Sequence, residues 1–433
     1  MTTVLPNSVN YTESLPSLPD NTTQIPVVGM AINGQTFSPG QQIQVDLLNR
    51  GFLVPDSLYI RYTITATTTG TATASSFMLG CPVYTPINRL DVQVGSQTID
   101  TIQNYNNVMN LLSNTTLDIS QKYGQQSIFG YQALNATGNA IAVPTLEQLD
   151  GRELLWAAGA QVFSVGAPLM CVLSNADKLL PLFSMPQVRL VFTVESLSSM
   201  FVNGTAQTVS GFSISNFELC YKIVDMGGAV EEMVRNMGDK IYVKSQSFAA
   251  ASQTLASATS GYVELIYNQR YASVKSLFVV NGGTAASSVN KAFDSYDITS
   301  NNGDYSFTVG GVIYPQKAIS TVVNRAGALM ELKSALGSIY DKNNNFAINS
   351  IEYAYISANT TTAAAPAKFY IGTSVEKLNS DSLLTGISTQ NSAISYRVNI
   401  GTATSQAHTC TLIVNYDALF EIDTVNRQVS LKC

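Results

Sequence analysis

Charge is scarce in this sequence. Of its 433 residues 12% are Asp, Glu, Lys or Arg, about half the usual share for soluble proteins, whereas 45% are hydrophobic. Polar surface therefore has to come from Asn, Ser, Thr and Gln. Such a surface suits close packing against further copies, because every charge buried at a contact needs a partner and carries a desolvation cost. An uncharged extracellular β-protein fits the composition equally. The net charge of −6 supplies no electrostatic basis for binding nucleic acid.

Cysteine is sparse and unpatterned. Cys81, Cys171, Cys220, Cys410 and Cys433 are an odd number, widely scattered and without a C-x-x-C pair, which argues against a disulfide framework or a zinc site. The opening stretch MTTVLPNSVNYTESLPSLPD has no basic region and no continuous apolar segment, so no secretory leader is expected. No apolar run reaches the roughly 18 residues of a spanning helix. Synthesis in a cytoplasm or nucleus is the expectation. Six Asn-x-Ser/Thr triplets, at Asn10, Asn21, Asn114, Asn135, Asn203 and Asn359, are read as accidents of a chain rich in Asn and Thr.

Catalytic patterns are missing as well. His408 is the only histidine, which excludes a paired-histidine metal site, and no G-x-S-x-G accompanies it to suggest a serine triad. Cys410 stands two positions on, a spacing that places both on one face of a strand simply because the period is two. There is no phosphate-cradling G-x-x-x-x-G-K-[ST] or G-x-G-x-x-G. Glu231 and Glu232 are adjacent on a helical stretch and so point in different directions, unlike the opposed carboxylates of glycoside hydrolysis. Trp156, the sole tryptophan, reads as a buried anchor or a subunit contact rather than a sugar platform. Asn33, Asn203, Asn281 and Asn302 each precede Gly and read as turn residues. No catalytic, cofactor-binding or metal residue is assigned, and no cofactor is expected.

What the chain does have is strands, in two series. SLYIRYTIT, from Ser57 to Thr65, sets Leu58, Ile60, Tyr62 and Ile64 on one face, and SLFVVNG begins 219 positions later at Ser276. NRLDVQVGSQTID carries a turn at Gly95-Ser96, and FTVGGVIY answers it in the second half. Each of these hairpins precedes a helical pattern: Tyr105, Val108, Met109 and Leu112 in the first, Leu329, Leu332 and Leu336 in the second. PQVRLVFTVES, with Val188, Leu190, Phe192 and Val194 inward, is matched by AISYRVNIG. FELCYKIVDM closes one half and CTLIVNYDALFEI the other. Four landmarks in one order indicate a duplicated domain of about 200 residues, too long for a solenoid repeat. Between the halves, Val230, Met233, Val234 and Met237 take helical spacing as a connector, and the Ser-, Ala- and Thr-rich stretch 245–261 reads as a loop.

The expected fold is all-β: two tandem eight-stranded jelly-roll β-sandwiches with short helices inserted between strands. The boundaries are an extended, proline-bearing N-terminal arm over 1–30, a first jelly roll over 31–228, a helical connector over 229–250 and a second jelly roll over 251–433. Two long, uncharged segments, Leu117 to Pro168 and Asn281 to Asp304, are expected as outer loops or subunit contacts.

In this layout, and in the segments PINRLDVQVGSQTIDTIQNYNNVMNLL, LPLFSMPQVRLVFTVES and FELCYKIVDM, the chain resembles the double jelly-roll major capsid proteins of tailless icosahedral double-stranded DNA viruses, those of polinton-like viruses, virophages and large eukaryotic DNA viruses above all. The resemblance implies a non-enzymatic structural subunit of the virion. It would form a homotrimer, a pseudo-hexagonal capsomer whose partners are neighbouring capsomers and penton and minor capsid proteins. It implies no direct nucleic-acid binding and is compatible with an internal membrane beneath the shell. The rivals are a secreted adhesin or carbohydrate-binding β-sandwich, and a β-sandwich glycoside hydrolase.

Overall fold

The computed structural model describes residues 19, 21–70, 76–117, 119–131, 151–154, 159–203, 207–283, 293–299, 303–321, 323–337, 347–348, 353, 368–378, 384–401, 404 and 407–433. In the first half, eight principal strands form two antiparallel sheets. These are β1 (Thr23–Met30), β2 (Gln42–Asp46), β3 (Tyr59–Gly70), β4 (Ile87–Val94), β5 (Gln97–Ile102), β6 (Gly159–Pro168), β7 (Val188–Val194) and β8 (Gln207–Asp225). Their orders are β1-β8-β3-β6 and β2-β7-β4-β5.

The second half supplies β9 (Lys240–Leu255), β10 (Gly261–Tyr267), β11 (Val274–Gly283), β12 (Asp304–Val309), β13 (Val312–Ser320), β14 (Ile371–Ser374), β15 (Ile394–Ile400) and β16 (His408–Asp423). They pair in the orders β9-β16-β11-β14 and β10-β15-β12-β13. Adding eight to a strand number in the first half gives its equivalent in the second, and every principal pairing recurs. Each half is thus a jelly roll. Short strands extend the sheets, among them Phe52–Leu53 and Gln428–Lys432.

The alternation in the sequence explains the strands. In β3, Ile60, Tyr62, Ile64 and Ala66 are buried while Tyr59 and Arg61 face out, and each large apolar side chain so removed from water contributes about 1.5–3 kcal/mol. The hairpins β4–β5 and β12–β13 reverse at Gly95 and Gly310, whose φ values of 62° and 58° suit glycine. Helix α1 (Tyr105–Thr116) follows the first hairpin, and α3 (Arg325–Leu336) follows the second, with α2 (Gly228–Arg235) between the halves. Tyr105, Val108 and Met109 of α1 are buried, as is Leu332 of α3, while Leu329 and Leu336 pack half-buried against the core. One continuous apolar core runs through both jelly rolls.

Several expectations are corrected. Of the stretch 245–261 only 256–260 is a loop: β9 runs from Lys240 to Leu255, paired along its whole length with β16, so strand begins inside the segment assigned to the connector. Its Ser and Ala side chains carry little apolar signal, and its burial comes from neighbours remote in sequence. Part of the segment read as an arm is β1, where Pro26 is tolerated because an edge strand has one side without ladder bonds; residues 1–18 and 20 lie outside the described residues. The apolar stripe of α2 is only partly covered: Val230 and Val234 are half-buried, while Met233, and Met237 just past the helix, are exposed. Asn281 is no turn residue; it is fully buried inside β11 and donates to the Tyr296 carbonyl. Of the two long segments, the first contains the helices Ile119–Gly124 and Gln126–Phe129 and strand β6. In the second, Phe293, Tyr296, Asp297, Ile298 and Thr299 are buried. Parts of both, 132–150 and 284–292 chief among them, lie outside the described residues.

Candidate functional site

The residues singled out for chemistry do not converge. His408 and Cys410 open β16 and are both buried. Desolvation holds the imidazole below its ordinary pKa and pushes the Cys410 thiol up to about 12, the reverse of what activates a thiolate. The ring of Tyr296 lies beside that of His408, 6.0 Å between centroids. Glu231 pairs with Arg235 one turn on, at 4.0 Å, and Glu232 is exposed. Among the described residues no three His, Cys, Asp or Glu side chains gather as a metal site would require. Trp156, Asn302 and the triplets at Asn10, Asn135 and Asn359 lie outside them. Asn21 and Asn203 are exposed. Asn114 is buried; its amide donates to the Tyr370 hydroxyl at 2.8 Å and accepts from Lys122 at 2.7 Å, which leaves no room for a glycan.

Polar side chains converge instead at the joint between the two jelly rolls. Strand β9 ends its sheet, so one row of its backbone groups has no ladder partner within the second half. The first half supplies partners. The Asp177 amide donates to the Lys244 carbonyl at 2.9 Å, Asn175 Nδ2 to the Gln246 carbonyl at 3.0 Å, and Ser245 Oγ to the Val172 carbonyl at 2.5 Å. The small side chains of β9, Ser245, Ser247, Ala249, Ala250 and Ala251, allow this close approach.

At the centre of the joint is Asp100 of β5, 4% exposed. Its Oδ2 accepts from Ser247 Oγ at 2.6 Å and its Oδ1 from the Tyr416 hydroxyl at 2.9 Å. Burial pushes the carboxyl above the ordinary carboxylate range, and the two hydroxyls pull it partway back. The Tyr416 ring is itself fixed, stacked on Tyr271 at 4.0 Å. Further along, Asn104 donates to Ser252 at 3.0 Å, and α1 reaches the second half through Asn114 and through Thr115, whose carbonyl accepts from the Ala347 amide at 2.7 Å. Sequence reading missed this joint. One signal was available: Asp100 shares its face of β5 with the buried Ile102, an inward place that a carboxylate takes only with partners.

The fold recurs in solved structures over nearly the whole chain. The Faustovirus major capsid protein matches with a TM-score of 0.61 at 8% identity, covering 96% of this chain and 92% of that one. PBCV-1 VP54, fitted into a reconstruction of the virophage Sputnik, matches with a TM-score of 0.59 at 10% identity, over 97% and 98%. The mavirus major capsid protein matches with a TM-score of 0.56 at 13% identity, over 100% and 96%. At these identities the likeness is one of fold. No protein-family model and no curated protein matches the sequence.

Proposed function

We propose that the chain is the major capsid protein of a tailless icosahedral double-stranded DNA virus, a structural subunit without catalytic activity. The observation that carries this reading is the doubling: two jelly rolls of one strand order, held side by side by a buried polar joint, in a fold shared end to end with capsid proteins. The proposed division places an N-terminal arm before β1, a first jelly roll up to β8, α2 as connector and a second jelly roll from β9 onward. Three copies bring six jelly rolls into one ring, so a single gene product tiles with pseudo-hexagonal symmetry. Closed symmetry stops growth at the capsomer, and shell assembly then depends on weaker, repeated contacts with neighbouring capsomers, penton proteins and minor capsid proteins.

The protein would be made in the host cytoplasm or nucleus and end in the virion. The low charge suits repeated close contacts, and the net charge of −6 supplies no electrostatic basis for binding packaged DNA. An internal membrane beneath the shell is compatible with this arrangement. Size-exclusion chromatography with light scattering tests the reading: the expected mass is three times the 46.4 kDa of the chain, in particles of hexagonal outline by electron microscopy. A stable monomer overturns it, and a monomer that retains on a glycan array supports the carbohydrate-binding rival.

A further inference from the structure

We infer that the cleft at one end of the joint between the jelly rolls is a binding site for a neutral saccharide. The inference goes beyond the capsid reading and does not depend on it. Strand β4 runs from this end, at Asn88, to the opposite end, at the Gly95 turn. The cleft holds about 190 Å³ and is bounded by the start of α1, the residues just after β7, and strands β11 and β16 of the second jelly roll. At roughly 30 Å³ per molecule of liquid water it has room for about six waters, or for one sugar ring in their place.

Its neutral polar groups are unspent. The carboxamides of Asn88 and Asn107 and the hydroxyl of Thr409 line the cleft, are half-buried, and have no hydrogen-bond partner among the described residues. A carboxamide presents a donor and an acceptor side by side, and a hydroxyl is both, which matches two neighbouring hydroxyls of a sugar. Glu195 adds a fixed acceptor. One of its oxygens accepts from Asn106 Nδ2 at 2.8 Å and the other from the Ser196 amide at 2.7 Å, so the carboxylate is held in place with a lone pair to spare on each oxygen. Asn104 spends its side chain across the joint on Ser252 and does not cap α1, which leaves first-turn amides of that helix as further donors. Val280 and Phe293 contribute the apolar part of the lining, against which the carbon face of a ring can rest. Charge decides the class of sugar. No Lys or Arg is among the described lining residues, and Glu195 repels an anion, so a neutral saccharide is favoured over an acidic or sulfated one. A single carboxylate is too few for a divalent cation.

The test uses the full chain in its native oligomeric state on an array of neutral and acidic glycans, followed by saturation-transfer NMR with the methyl glycoside of the best-retained neutral sugar. Retention on neutral glycans alone is expected. Binding should weaken roughly tenfold or more in Glu195→Gln, which loses a charged acceptor, and a few-fold in Asn107→Ala, which loses a neutral one. Glu232→Gln makes the same exchange on the exposed face of α2 and should leave binding unchanged. No retention on any neutral glycan, retention confined to acidic glycans, or binding that survives both substitutions in the cleft overturns the inference. Should either variant fail to fold, hydrogen exchange on the wild type decides: slowing at 104–108 and 409–411 on addition of the methyl glycoside supports the site, and unchanged exchange there overturns it.

Discussion

Asp100 and Ser247 stand 147 positions apart in the chain, and their side chains meet at 2.6 Å across the joint between the jelly rolls. The Tyr416 hydroxyl completes the site from the second side. Replacing Asp100 with Ala leaves both buried hydroxyls without their acceptor, and a loss of about 2–3 kcal/mol is expected. Ser247→Ala removes one donor and should cost about 1 kcal/mol. Thermal unfolding checks both, each kcal/mol being worth roughly 2–4 °C in domains of this size. The double variant should lose less than the sum, because the two residues share one interaction.

Asp100 also gives the joint a pH dependence of defined sign. Its carboxyl is raised in the folded state by burial, so over the range between the ordinary Asp value and the raised one the folded protein holds a proton that the unfolded chain has released. The contribution of this group is therefore fully present below the ordinary value and is lost as pH rises through the raised one. Asp100→Asn removes this titration. The difference in unfolding midpoint between wild type and Asp100→Asn should shift against the wild type as pH rises from about 4 toward neutrality; a flat difference would contradict the assignment.

The cysteines should differ sharply in reactivity. Burial pushes Cys81 and Cys171 up to about 11 and Cys410 up to about 12, and Cys220 is equally inaccessible, whereas Cys433 is half-buried at the C-terminal end. Iodoacetamide labelling of the native protein, read by peptide mass spectrometry, should modify Cys433 first and the other four only on unfolding. Reducing agent should leave the melting temperature unchanged, since all five are free thiols.

The hairpin glycines should be equivalent in cost. Gly95 and Gly310 occupy the same turn in the two halves at φ near 60°, so an alanine at either pays about 1 kcal/mol or somewhat more for the left-handed conformation. At Gly95 a Cβ would also lie 3.3 Å from Pro186 Cβ, against 3.7 Å to Ser392 Oγ at Gly310. Gly95→Ala should therefore be the more damaging of the two in chemical denaturation.

Much of the fold was legible because its signals are local. The alternation of Ile60, Tyr62 and Ile64 repeats from one residue to the next, and the turn glycines flag themselves by type. What escaped was decided at a distance. β9 looked like a loop because Ser245, Ala249 and Ala250 have no apolar period of their own; their burial is conferred by β16 and by the first jelly roll. Asn281 preceded a glycine and so imitated a turn, although its carboxamide is held inside the core beside Tyr296. The α2 stripe had the right spacing, but only Val230 and Val234 find partial cover, and Met233 stays exposed. The Asp100 site joins three segments, and no window of sequence contains more than one of them.

The β5–β9 contact has a further consequence for mass action. Its two sides travel on one polypeptide, so their local concentration is set by the intervening chain and does not fall when the protein is diluted. In the ring of six jelly rolls proposed for three copies, alternate seams would then be immune to subunit concentration, and only the others would govern whether the ring opens.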